Sequence, residues 1–180
     1  NVTAVFQLFR GTRDGFSPMK TRVIEAGCLG QWALDDLFAG EVHNGQPMTV
    51  KVILNSPGIA FATIVDNITT DAAVIPGTAP QKSWLIPVVS HSGGRDGTLW
   101  TSTVSIWNSE AQSAAIELEY LPENTNNLAG GVRGSSFILA PNATVALDDV
   151  LRNGFGVTNG KGALIVRSTK SISVTSRVWT

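Results

Sequence analysis

Apolar and polar residues alternate with a period of two along most of the chain. Ala4, Phe6 and Leu8 fall on one face of a first run, with Val5, Gln7 and Phe9 on the other. Met48, Val50, Val52 and Leu54 share a face further on, and Trp100, Val104 and Ile106 oppose Thr101, Thr103, Ser105 and Trp107. Ile116, Leu118 and Tyr120 alternate with the outward acids Glu117 and Glu119. Period two places neighbours on opposite faces of a strand, and one polar face is the habit of antiparallel sheets. No window of about 11 residues carries a helical stripe. Strands are expected near 4–9, 21–26, 31–34, 48–54, 60–65, 84–90, 99–107, 115–121, 135–140, 163–167 and 171–179. Gly93-Gly94-Arg95-Asp96-Gly97 and Arg13-Asp14-Gly15 are expected turns, since Asp-Gly accepts the left-handed backbone that hairpins need.

The chain repeats itself. It spells Ala33-Leu34-Asp35-Asp36 and again Ala146-Leu147-Asp148-Asp149, 113 residues apart, each followed by two apolar residues. Flanking strands repeat in the same order. Ala4-Phe6-Leu8 matches Ile116-Leu118-Tyr120 at an offset of 112, and Val52 matches Val166 at 114. Single-residue drift confined to loops is what a duplicated module accumulates. Residues 69–83, rich in Thr, Pro and Gly, separate the copies. The division is 1–76 for a first module, 77–83 for a linker and 84–180 for a second. Residues 84–108 have no counterpart in the first copy, which therefore lacks its two opening strands. They are supplied either by an upstream segment or by another subunit through strand addition.

Composition narrows the function. Of 180 residues, 43% are hydrophobic and 15% charged, enough for a core and unlike a disordered chain. Thirteen basic and fourteen acidic residues give a net charge of −1 without a basic stripe, which excludes a phosphate-tracking nucleic-acid surface. No apolar run approaches the ~20 residues of a membrane-spanning helix. The chain opens at Asn1 within a strand-like run, so a processed or trimmed product is expected. Low Lys and Glu with abundant Thr, Ser, Asn and Gly lean towards an extracellular or cell-surface β-protein.

Ile86-Pro87-Val88-Val89, then Gly97-Thr98-Leu99-Trp100-Thr101-Ser102-Thr103-Val104-Ser105-Ile106-Trp107-Asn108, resembles a tandem module of secreted and surface bacterial proteins. The later pieces of that pattern are Pro141, Leu147-Asp148-Asp149 and Ser176-Arg177. The resemblance covers 84–179 and, without the opening strands, 2–67. Asp66-Asn67 stands where the first copy would have Ser-Arg. What it implies is an Ig-like β-sandwich set in extracellular arrays, with no settled activity.

Candidate chemistry is sparse. Asp35, Asp36, Asp148 and Asp149 are expected mainly to cap turns by accepting backbone N–H groups. They are calcium candidates only weakly, because calcium takes six or more oxygens and no Asp-x-Asp-x-Asp-Gly loop is present. The two histidines, His43 and His91, fall in expected loops of different modules. Cys28 with His43 is the one nucleophile–base pairing on offer, and it has no third orienting group. A buried, inert thiol is the ordinary reading of Cys28, and the chain is not expected to be an enzyme or to carry a cofactor. Trp32 and Trp100 are expected in cores. Trp107 and Trp179 sit on Thr/Ser-rich faces and are the candidates for stacking on sugars or for burial at an interface. Phe6 and Leu8, in the incomplete first module, are the other binding or interface candidates. Asn1-Val2-Thr3, Asn67-Ile68-Thr69 and Asn142-Ala143-Thr144 fit the glycosylation sequon by chance.

The expectation is an all-β chain of two tandem antiparallel Ig-like sandwiches. It is a non-catalytic extracellular structural protein, a fibre or layer subunit joined by strand complementation. A carbohydrate-binding or adhesion module is the alternative.

Overall fold

A computed structural model describes residues 1–11, 17–42, 46–65 and 72–180. Arg13-Asp14-Gly15, His43 and Asp66-Asn67 with its sequon lie outside the described residues. The fold is all-β, with antiparallel sheets and two short helices. The chain divides into two compact units, Asn1–Ala79 and Pro80–Thr180. The division falls within the segment expected as a linker, although a strand already begins at Gln81.

In the first unit, β1 (Val2–Arg10) lies between β2 (Met19–Ile24) and β3 (Met48–Leu54), in the order β2-β1-β3. The helical turn α1 (Leu34–Leu37) supplies Leu37, which with Phe38 and Leu8 forms a small core. Phe6, Trp32, Val42, Met48 and Val50 pack around it partly buried. A separate hairpin joins β4 (Phe61–Val65) to β5 (Ala72–Pro76). β5 lies in the Thr- and Pro-rich stretch expected to be irregular. Its Ala72, Val74 and Pro76 are exposed and alternate with half-buried Ala73 and Ile75, a short run of strand-forming residues within polar surroundings.

The second unit is one seven-stranded sheet wrapped around a single core. It contains β6 (Gln81–Gly93), β7 (Leu99–Asn108), β8 (Ala114–Pro122), β9 (Val132–Arg133), β10 (Phe137–Leu139), β11 (Thr144–Leu147) and β12 (Gly160–Trp179). The path is β10-β8-β12-β6-β7-β11, with β9 added to β8 and α2 (Val150–Phe155) between β11 and β12. The expected hairpin forms at Gly93–Gly97, with Asp96 at φ 56° and Gly97 at φ 78°.

β12 organises this unit. Two closing strands were expected, broken at the polar Ser168-Thr169-Lys170. Instead one strand of 20 residues runs through, and the polar stretch is an irregularity between Arg167 and Ile172. Before that bend β12 pairs with β8 on one side and β6 on the other. Beyond it, Ile172–Trp179 pairs with β7. Such an irregularity lets one strand change direction and serve both halves of a folded sheet. Trp84 Nε1 donates to Ile172 O at 2.9 Å across the bend. Pro87, which has no N–H to give, sits at a second register shift, opposite the step from Gly162 to Leu164. At Gly162 a Cβ would come within 2.1 Å of Leu121 O, so only glycine lets β12 pass so close to β8 there. Leu164, Val166 and Ile172 of β12 are fully buried against Ile86, Val89, Val104, Ile106, Ile116 and Leu151.

Leu164→Ala is expected to cost the second unit about 2–5 kcal/mol, as for other fully buried large-to-small changes. Val50→Ala, at the equivalent and half-buried position of the first unit, is expected to cost less than half as much. Urea denaturation followed by a probe in each unit checks both.

Candidate functional site

The second Ala-Leu-Asp-Asp begins as strand. β11 is held on β7 through Leu147↔Val104 and Ala146↔Ser105, and the chain then turns at Asp148-Asp149 into α2. Asp149 adopts φ 44°, ψ 59°, a left-handed conformation that costs a non-glycine residue energy unless something holds it. His91 holds it. Nδ1 of this 4%-exposed histidine, on β6, lies 2.8 Å from both carboxylate oxygens of Asp149. A carboxylate only accepts, so the proton sits on Nδ1 and the bond is charge-assisted. Asp148 turns the other way, over the outer face of β7. Its Oδ1 accepts from the Thr103 hydroxyl at 3.3 Å, and its carbonyl accepts from Asn153 Nδ2 at 2.7 Å.

These contacts correct the capping expectation. No side chain caps α2 at Asp149, and the residue before α1 is Ala33, which has no side-chain acceptor to offer. The buried imidazole N–H is a stronger partner for Asp149 than a helix amide. His91, expected in a loop, lies inside β6, which runs on past Pro87 as far as Gly93. Nothing in the spacing of positions 91 and 149 signals their pairing. Among the described residues no hydroxyl or thiol hydrogen-bonds His91 Nε2, so the pair lacks the nucleophile of a triad. No three His, Cys, Asp or Glu side chains gather where they could hold a metal, among the described residues. Cys28 is exposed rather than buried.

The tryptophans divide differently from expectation. Trp100 is 43% exposed, because it stands at the hairpin end of β7 beyond the core. Trp32 is half-buried, edge-on to Phe6 with ring centroids 5.4 Å apart. Trp107 is buried at 5% exposure, so of the two candidates on the Thr/Ser face only Trp179, at 44%, presents its ring to solvent. Trp179 Nε1 donates to Thr103 Oγ1 at 3.1 Å, and Thr103 in turn donates to Asp148. The ring is thus held in place over a hydroxyl-rich face.

The first unit carries the other candidate surface. Its strand register repeats that of the second unit: Ala4↔Leu54, Phe6↔Val52 and Leu8↔Val50 stand where Ile116↔Ser168, Leu118↔Val166 and Tyr120↔Leu164 stand. Leu37 and Phe38 are buried as their equivalents Val150 and Leu151 are. The cover differs. Leu164 and Val166 are at 0% exposure where β12 pairs with β6, whereas Val50 and Val52 are only half-buried, with no strand on the outer edge of β3 among the described residues. Leu8 is in the core and Phe6 beside it is half-buried. Every residue of β4 is exposed, including Phe61 at 54%, Ile64 at 43% and Val65 at 57%. β5 keeps Ala73 and Ile75 half-buried, and a two-stranded hairpin is marginal by itself.

One carboxylate has a shifted acidity. Gly131 N–H donates to Glu119 Oε1 at 2.6 Å and Arg167 binds Oε2, and these, with the charge of Arg133, hold Glu119 below its ordinary value of 4.5 against a smaller opposing effect of burial. A depressed carboxylate stabilises the fold above its unfolded pKa, and the contribution is lost as pH falls through the folded value. Stability of the second unit is expected to fall with acidification below about pH 4.5, and Glu119→Gln to remove this share of the slope. Denaturation midpoints at stepped pH check it.

No protein-family model matches the chain, and neither does any curated protein. Among solved structures the chain is similar to the Anabaena sensory rhodopsin transducer, at 16% identity and a TM-score of 0.42, over 54% of this chain and 88% of that one. A likeness this distant carries nothing of that protein's role over to this chain.

Proposed function

We propose that the chain is a non-catalytic structural β-protein of the extracellular space, built of two Ig-like modules. The first module is completed by two strands from a neighbouring subunit, which joins subunits into a fibre or layer. The observation that carries this reading is the contrast between Val50 and Val52, half-buried, and Leu164 and Val166, fully covered in the same register. β6 and β7 flank β12 in the second unit, and the described residues of the first unit show no counterpart of either. Full burial of an exposed Val side chain is worth about 1.5–3 kcal/mol, and completing the burial of half-buried Val50 and Val52 gains about half of that for each. The open edge supplies backbone N–H and C=O groups in register for such an addition.

Assemblies that resist dilution are expected in sedimentation velocity, along with a poorly folded first unit in any monomer fraction. A dilution-stable monomer whose first unit unfolds cooperatively would overturn the proposal.

A second reading rests on Trp179, whose exposed ring is held by Thr103 and Asp148. An aromatic ring fixed beside hydroxyl and carboxylate groups suits the apolar face and the hydroxyls of a pyranose. Retention on a polysaccharide column that disappears in Trp179→Ala is the expected outcome; equal retention of both proteins would discard this reading.

A further inference from the structure

In the second unit a buried side chain and an exposed one are joined by an unbroken run of contacts. His91 Nδ1 lies 2.8 Å from both carboxylate oxygens of Asp149, and this contact keeps Asp149 at φ 44°, ψ 59°. Its neighbour Asp148 is therefore fixed from three sides. Leu147 before it pairs with Val104, Asp149 after it is pinned, and its own carbonyl accepts from Asn153 Nδ2 at 2.7 Å. Asp148 Oδ1 accepts from the Thr103 hydroxyl at 3.3 Å, and that hydroxyl accepts from Trp179 Nε1 at 3.1 Å. The end members set the direction of the run. An indole N–H only donates and a carboxylate only accepts, so Thr103 takes from the one and gives to the other. A charged acceptor at the end of the run strengthens the bond behind it. Trp179 depends on that bond, because a ring at 44% exposure is fixed less by packing than by its polar contact.

We infer that His91 is the positioning residue of the Trp179 surface, acting through the left-handed turn at Asp149 and then through Asp148 and Thr103. Without the imidazole, Asp149 has no partner to hold it in a backbone conformation that costs a non-glycine residue energy, and the turn relaxes. Asp148 moves with the turn, Thr103 loses its acceptor and the ring is freed. A freed ring has to be ordered again when a ligand binds, so affinity falls although no residue beside the ligand has changed. The inference rests on the saccharide reading for what the ring binds, and adds how the ring is held ready. The coupling itself is measured on the protein without ligand.

The test follows the Trp179 indole N–H of the full chain by NMR, identified among the five tryptophans by its loss in Trp179→Phe. Asp148→Ala and Thr103→Val are each expected to speed its exchange with water by up to about tenfold, the scale of one hydrogen bond. Thr103→Ser is expected to leave it unchanged. His91→Ala is expected to match Asp148→Ala, although it lies three links from the ring. Two changes at Asp149 separate this coupling from general loosening and leave the histidine in place. Asp149→Ala, which cannot hold the left-handed turn, is expected to give fast exchange. Asp149→Gly, which takes that turn without an anchor, is expected to keep exchange slow. Equal exchange in these two variants, or an indole N–H unmoved by His91→Ala, overturns the inference. Retention of the parent protein on a polysaccharide column keeps the two readings apart. Coupling without retention overturns the saccharide reading alone, and retention without coupling overturns this inference alone.

Discussion

Edge-to-edge pairing on both sides of one strand is the constraint on which this fold depends. In the second unit β12 has β8 on one side and β6 on the other, then bends and takes β7. Side chains on its core face are therefore roofed by strands from every direction, and Leu164, Val166 and Ile172 are at 0% exposure. In the first unit β3 pairs only with β1 among the described residues. The same register then yields a shallow core of Leu8, Leu37 and Phe38, with half-buried valines at its open side. The sequence pattern of the two copies is alike; what separates them is the number of neighbours each central strand has.

Polar contacts follow from the same arrangement. Buried polar groups need partners, and in the second unit two of them, His91 and Asn108, lie on β6 and β7 themselves. His91 reaches Asp149 because β6 is in place. Asn108, fully buried at the end of β7, donates to the carbonyls of Gln112 and Ala140 and accepts from Glu110 N–H, tying the β7–β8 turn to the end of β10. The conserved-looking order of the repeat thus hides a division of labour: apolar positions are duplicated, whereas the polar fastenings depend on β6 and β7.

Much of this was legible in the sequence because strand faces and offsets are local information. The offsets of 112 and 114 carry Phe6 and Val52 onto Leu118 and Val166, and the structure pairs Phe6 with Val52 as it pairs Leu118 with Val166. The His91–Asp149 pair was not legible. It joins residues 58 apart, and the run of Ser90, His91 and Ser92 looks like a loop because its polar groups are satisfied by distant strands, as Ser90 N–H is by Ser102. Trp100 failed for a related reason: alternation assigns a face, but not whether the core extends as far as the strand's end. The continuity of β12 was hidden by Ser168-Thr169-Lys170, which bond both locally, Lys170 N–H to Ser168 Oγ, and to a neighbouring strand. Ala115 N–H, for instance, donates to Thr169 Oγ1.

The position of β12 in the chain bears on how the second unit acquires its structure. Its three partners β6, β7 and β8 are all synthesised before it, and none of them forms the finished sheet until its 20 residues arrive. Closure is thus a late, long-range event, and pairings of large sequence separation are slow because loop closure precedes any gain from contact. During that interval β6, β7 and β8 wait with open edges, a window in which a neighbouring nascent chain competes for them.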